Sequence, residues 1–499
     1  MFRSIDRSHV YSFLVALLGI SFAHYALLEH DTGAFFAYAE RVAVGGKLYV
    51  DVNEVNTPLV TYALLPLVKL RDATGIAYTD SFFIIYGLIF FACALFSLKL
   101  LSFIEEFRRP ASKTLAGIAI SYILILSVAM DISFGQREHF LICLIFPYIV
   151  TLMARDYKAD IPKKYRLIAG VIAAAGFCVK PNFIVIFICA ELVSLVRERR
   201  LMSCFRPETI AISSIFTVYH IWFVYAFPEY FIQLPYFIDA YKSFQSDFFL
   251  TVAKMVFGLS GFYFYIVLVI KLKSDLSKIT LLLAVSAGSC IHYAIQNAGF
   301  NYHLIPAYAF MIWIGVVLLI NANKSKYVIV LILLTMFPYS PKVLDLAERR
   351  ESILSMSNKI IANAESGEVA ILSTSVFPAF PVVNYAETFW PLSSAHLRQL
   401  PVSYDHSKIH DTEPNYRSLA EMNETERYFT SRNLGELEKR PKLIVIDERE
   451  HKQGLDNVKF NILNYFLTQE RFRALWKDYR YIGTLHDFAF YKYEPAAKP

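Results

Sequence analysis

The chain has 499 residues, 56% of them apolar and 16% aromatic, with 42 Phe and 32 Tyr against 19 Gly and 20 Pro. That balance excludes collagen-like, disordered and small disulfide-stapled chains, and a mean hydropathy of +0.41 marks a membrane protein rather than a string of soluble domains. The formal charge of +6 is spread over short Lys/Arg clusters between apolar runs, so no nucleic-acid partner is expected.

The first apolar segment, Tyr11 to Leu28, follows Arg3, Arg7 and His9. No clean small-residue cleavage pattern follows it and many spans come after, so it reads as an anchor rather than a removed signal peptide. Further apolar segments run over 80–103, 114–130, 138–154, 167–179, 182–196, 208–227, 249–271, 279–296, 303–320 and 326–342. Most are long enough, at 1.5 Å per residue, to cross about 30 Å of hydrocarbon, which gives about eleven transmembrane helices. The two segments flanking Lys180-Pro181 are short and read as tilted helices or partly re-entrant pieces.

Lys and Arg gather in alternate loops, at 108–113, 155–166, 197–206, 271–278 and 324–326, which assigns those loops and the N-terminus to the cytoplasm. After residue 342 charged residues become frequent and no run spans a bilayer, so the chain divides into a membrane domain, 1–342, and a soluble domain, 343–499. An odd number of crossings puts the second domain outside. Val369 to Ser373 and Lys442 to Ile446 read as buried strands, 344–361 and 464–477 as helices, and Tyr481 to Tyr493 as a terminal strand or hairpin, together a small α/β domain. Residues 401–435 are polar and turn-rich. The six cysteines all precede residue 300, lack metal-ligand spacing and read as small core residues.

Polar groups concentrate in the outer loops, where burial in lipid costs roughly 2.5–3.5 kcal/mol by insertion scales, so a shared outer cavity is expected. Between the first two spans, Glu29-His30-Asp31 opens a long loop with an amphipathic stretch from Phe35 to Val44, then Gly45-Gly46 and Asp51 to Pro58. Asp31, at the exit of the first span, is the leading candidate for a catalytic carboxylate; a helix cap is its alternative role. Asp51 and Glu54 are secondary candidates with turn or surface roles as alternatives. The second outer loop, Asp131 to His139, packs two acids, an arginine and a histidine between apolar segments. Arg137 suits a carboxylate or the phosphate oxygens of an anionic substrate; Glu138 and His139 are candidates to position an acceptor, relay a proton or hold a divalent ion with Asp31, and interfacial residues that satisfy one another are the alternative for the whole cluster. Lys180 is assigned to phosphate binding, with snorkelling as the alternative. Gln296, Tyr302 and His303 sit at another outer helix junction as phosphate or sugar contacts, with a purely structural interfacial histidine as the alternative for His303, while His292 leans structural.

On these residues the sequence resembles the GT-C superfamily of polyprenyl-phosphate-dependent membrane glycosyltransferases, particularly bacterial relatives of the lipid A aminoarabinose transferase and protein O-mannosyltransferase families. The local signals are Asp31 followed by Tyr49 to Leu59, then Gly135 to His139, Lys180-Pro181 and Gln296 to Pro306. The resemblance implies a GT-C-like multi-span α-helical fold in a bacterial inner membrane with a periplasmic C-terminal domain. It implies an inverting transferase that takes a sugar from a polyprenyl-phosphate donor to a lipid, polysaccharide or protein acceptor. Asp31 and Glu138, with Asp131 as a fallback, would be the catalytic or metal-holding acids (Mg or Mn), and Arg137, Lys180 and His303 would contact the lipid-linked phosphate. Here His30-Asp31-Thr32 replaces the family's paired acids and Asn56-Thr57-Pro58 its double proline. No glycine loop for a soluble nucleotide sugar is present. A lipid flippase or other transporter is the first alternative, but no inverted counterpart of Lys180-Pro181 is found. A noncatalytic assembly subunit is the second.

Overall fold

The computed structural model describes residues 6–256, 259, 267, 275–365, 367–404, 412–455 and 457–495. Eight helical runs among them are long and apolar enough to cross a membrane: Arg7–Ala26, Tyr78–Leu101, Pro110–Met130, Arg137–Asp156, Pro207–Ala226, Leu276–Gln296, Asn301–Asn321 and a run that begins at Tyr327. The protein is a mostly helical, multi-span membrane protein. Of the eleven expected segments, two form shorter helices, Lys163–Cys178 with 16 residues and Ile184–Glu198 with 15. At 1.5 Å per residue these fall short of about 30 Å of hydrocarbon. The segment 249–271 lies partly outside the described residues.

The chain folds as two compact units, one of Met1–Ala26, Asp80–Val224 and Ser246–Leu346, the other of Leu27–Thr79, Tyr225–Gln245 and Ala347–Pro499. This differs from a single cut at residue 342, because Leu27–Thr79 and Tyr225–Gln245 group with the C-terminal region.

In the membrane unit, α1 (Arg7–Ala26) buries Ser8, Ser12, Ala16, Gly19, Ala23 and Ala26, a stripe of small residues at helical spacing that lets backbones approach closely. A Cβ on Gly19 would sit 2.9 Å from the Leu126 backbone, so glycine is required there. The run Pro110–Met130, α2, contains a π-turn at Tyr122–Leu126. Helix α3 (Arg137–Asp156) is buried along nearly its whole length and forms the centre of this unit. It is followed by α4 (Lys163–Cys178), α5 (Ile184–Glu198) and α6 (Pro207–Ala226). A buried ion network ties these four helices. Arg155 of α3 meets Glu191 of α5 at 3.0 Å and Glu208 of α6 at 2.9 Å; Arg166 of α4 meets Glu208 at 2.8 Å. Two cations and two carboxylates thus cancel, which makes their burial tolerable.

The second unit begins with α7 (His30–Ala43) and includes α8 (Leu346–Ala364), α9 (Ala379–Tyr385) and α10 (Glu424–Leu437). Its sheet has the order β1-β2-β4-β3, from β1 (Val369–Leu372), β2 (Leu443–Asp447), β3 (Tyr479–Leu485) and β4 (Phe488–Tyr493). The β1/β2 pair is parallel, with Val369 opposite Leu443, and both strands are wholly buried, as continuous apolar runs require. The other two pairings are antiparallel. The expected strands, first helix and terminal hairpin are all present; the expected helix at 464–477 is two short ones, Ile462–Leu467 and Glu470–Trp476. All six cysteines are free, three of them buried.

Candidate active site

In the second unit, Glu29 caps α7: its Oε2 accepts hydrogen bonds from the amides of Asp31, at 2.9 Å, and Thr32, at 3.2 Å. The other oxygen lies 2.6 Å from His30 Nδ1, and His30 Nε2 lies 3.8 Å from Asp31 Oδ1. Burial works against charge on this imidazole, but Glu29 and then Asp31 outweigh it and hold its pKa up at about 9. One atom from each of the three side chains falls within 4.8 Å of the others, so Glu29, His30 and Asp31 form a cluster able to hold a metal ion. Asp31 therefore is not the cap; its neighbour Glu29 is. The first turn of α7 leaves the Asp31 carboxylate about 20% exposed.

The secondary candidates of the same loop brace turns. Asp51 Oδ2 accepts from the Lys47 amide at 2.7 Å, and Glu54 Oε1 accepts from the amides of Val55 and Asn56 at 2.7 and 2.8 Å.

The membrane unit gathers a second set of residues. Glu138, fully buried in the first turn of α3, lies 3.4 Å from Lys180 Nζ and 3.8 Å from His303 Nε2. Lys180 sits between α4 and α5, its ammonium 5.7 Å from the centre of the Phe183 ring, which in turn packs 4.7 Å from His292. Glu138 Oε2, His303 Nδ1, Gln296 Oε1, Asn182 Oδ1 and both ring nitrogens of His292 are buried without a hydrogen-bond partner among the described residues. Such atoms are costly in a dry interior. Tyr302 packs edge-on against His303, 4.4 Å between ring centres. Arg137, next to Glu138, is also buried.

Two expectations change here. His139 was a candidate substrate contact, but its Nδ1 accepts from the Gly135 amide at 3.0 Å and its Nε2 donates to the Leu124 carbonyl at 2.6 Å. Leu124 lies in the π-turn, so His139 satisfies a carbonyl which that wide turn directs at the neighbouring helix, and it has no ring nitrogen left for substrate. Asp131, the fallback acid, pairs with Lys342 Nζ at 2.6 Å and Ser133 Oγ at 2.7 Å rather than joining Glu138. Sequence reasoning assigns no role to Glu29, His30 or Asn182 and reads His292 as structural. The adjacency of Glu29 and His30 to Asp31, and the one-turn spacing of His292 from Gln296, were the available signals.

No protein-family model matches the chain, and no curated protein matches its sequence. A solved structure does: the crystal structure of ArnT from Cupriavidus metallidurans bound to undecaprenyl phosphate superposes with a TM-score of 0.55 at 10% sequence identity, over 97% of this chain and 97% of that one. The chain has an ArnT-like fold. At that identity the likeness carries the fold alone, and it carries it for the helical spans and the C-terminal domain together.

Proposed function

We propose that the chain is a GT-C-type glycosyltransferase of a bacterial inner membrane, moving a sugar with inversion from a polyprenyl-phosphate donor to a lipid, polysaccharide or protein acceptor on the outer face. The observation that carries this reading is the end-to-end likeness to a chain solved with undecaprenyl phosphate. The half-buried Lys180 and the buried Arg137 and His303 around Glu138 support it, since a leaving phosphate needs fixed cationic and hydrogen-bonding partners.

In this reading the acceptor hydroxyl oxygen attacks the anomeric carbon while its proton passes to the Asp31 carboxylate. The bond between that carbon and the phosphate oxygen breaks, and its electron pair leaves with the polyprenyl phosphate. One displacement gives inversion. Lys180 and Arg137 stabilise the developing phosphate charge, and Glu138 holds Lys180. Gln296 and Tyr302 contact the sugar. Glu29, His30 and Asp31 together fit a divalent cation, with two carboxylates and one imidazole as donors, a set that suits Mn²⁺ better than all-oxygen Mg²⁺. Such an ion would supply positive charge near the reacting oxygens, and its capture would release the proton from His30.

The test is transfer by purified protein in lipid with a panel of polyprenyl-phosphate sugars and acceptors, for wild type, Asp31→Asn, and wild type with EDTA. Loss of transfer in Asp31→Asn with donor binding retained is the expected result, and EDTA sensitivity restored by Mn²⁺ would assign the cation. No turnover on the whole panel, with Asp31→Asn unchanged in cells, refutes the transferase reading.

A further inference from the structure

Glu29, His30 and Asp31 sit on a turn that is held from outside by the C-terminal region, at both of its ends. At the front, the Leu28 amide donates to the Tyr385 hydroxyl at 3.1 Å and the Leu28 carbonyl accepts from Arg349 Nη2 at 3.3 Å. At the back, Asn384 Nδ2 donates to the Gly33 carbonyl at 3.0 Å and to the Tyr78 hydroxyl at 3.2 Å. Tyr78 is itself stacked on Phe36 of the same helix, 4.4 Å between ring centres. Arg349 is steadied by the Phe377 ring at 5.4 Å. Gly33 leaves no slack: a Cβ there would fall 2.5 Å from Asn384 Oδ1 and 3.0 Å from Phe380.

A second feature points the same way. Leu27, the residue before this clamp, has φ of +66°, a left-handed conformation that costs a non-glycine residue roughly 1–2 kcal/mol. Strain of that kind persists only where surrounding contacts over-determine the backbone, and it clusters at working sites. The local cap cannot be the whole cause. It uses Glu29 Oε2 on the amides of Asp31 and Thr32 and reaches no group before Glu29.

We propose that Arg349, Asn384 and Tyr385 are positioning residues that fix the turn carrying Glu29, His30 and Asp31, so that the C-terminal region sets the geometry of the catalytic carboxylate. This rests on the transferase reading above. Its consequence is that the C-terminal region governs turnover rather than donor affinity. A carboxylate displaced by about 1 Å loses on the order of a hundredfold in rate, whereas substrate affinity made elsewhere survives.

The test uses the full-length protein reconstituted in lipid, with Arg349→Gln, Asn384→Ala and Tyr385→Phe, each also combined with Asp31→Asn. Three readouts are taken: kcat and KM for the donor, amide exchange of the peptide covering 28–33, and the thermal midpoint. The expected result is a fall in kcat of about tenfold or more with donor KM within about twofold. Exchange of the 28–33 amides should rise about tenfold, and the double variants should be no slower than Asp31→Asn alone. Arg349→Lys should recover part of the rate. Unchanged kcat despite faster exchange overturns the inference, and so does full additivity with Asp31→Asn. If Arg349→Gln fails to fold, Tyr385→Phe, which removes a single oxygen, supplies the same readouts. A wild type silent on every donor sinks the transferase reading and this inference with it, and that outcome is seen before any variant is made.

Discussion

Replacing Glu208 by Gln cuts the ion network at the point where two arginines converge. The Glu208 side chain is 1% exposed and receives Arg155 Nη2 at 2.9 Å and Arg166 Nε at 2.8 Å. After the change Arg155 still has Glu191 at 3.0 Å, but Arg166 loses its carboxylate and one net positive charge remains in the interior. Breaking a buried pair by removing one partner costs about 3–5 kcal/mol; because Arg166 is 22% exposed and can turn to water, the lower end, about 3 kcal/mol, is expected. That is more than about a hundredfold in the unfolding constant. Arg166→Gln leaves the opposite excess, two buried carboxylates around Arg155, and should cost about as much, roughly 3 kcal/mol. The double variant Glu208→Gln/Arg166→Gln should be more stable than Glu208→Gln alone, because the charge excess is gone. Unfolding in mixed detergent micelles, followed by tryptophan fluorescence at fixed protein and lipid ratios, measures all three. A double variant weaker than Glu208→Gln alone, or a loss for Arg166→Gln far smaller than for Glu208→Gln, would show that the network does not work as a balanced set of charges.

Further tests probe the two candidate centres and their supports. Lys180→Met should raise the donor KM more than tenfold and lower kcat, measured in the lipid-reconstituted transfer assay, because Glu138 is then left as an uncompensated acid. Gly33→Ala should destabilise the second unit by about 1–3 kcal/mol, read from its thermal midpoint, since the new methyl must displace Asn384 or Phe380. Glu40 is buried, and although Arg71 pairs with it, desolvation dominates and raises its carboxyl pKa to about 7. A carboxyl raised above its unfolded value binds protons more tightly in the folded state, so stability falls as pH climbs from about 4.5 to 7 and is level above that. Wild type should therefore lose thermal stability relative to Glu40→Gln across that window, and a constant difference between them would contradict the assignment.

Much of the site was legible as composition and little of it as geometry. Glu29, His30 and Asp31 are consecutive, so their gathering is guaranteed by the chain itself, and only the division of labour needed coordinates: Glu29 caps and Asp31 stays partly exposed. Glu138 and Lys180 are 42 residues apart, and nothing local signals that they meet. The Asp131–Lys342 pair spans 211 residues and was invisible for the same reason. The partner of His139 is a carbonyl presented by a π-turn that no periodicity announces.

The sequence by itself determined the apolar spans, the buried strands at Val369 and Leu443 and the terminal hairpin, because hydropathy and side-chain alternation are properties of contiguous residues. Tertiary structure alone decided that Leu27–Thr79 and Tyr225–Gln245 belong with Ala347–Pro499, and which charge meets which. Those choices depend on packing between segments hundreds of residues apart. There, a single glycine such as Gly33, or one wide helical turn such as Tyr122–Leu126, fixes how closely backbones approach and which carbonyl is left to be satisfied.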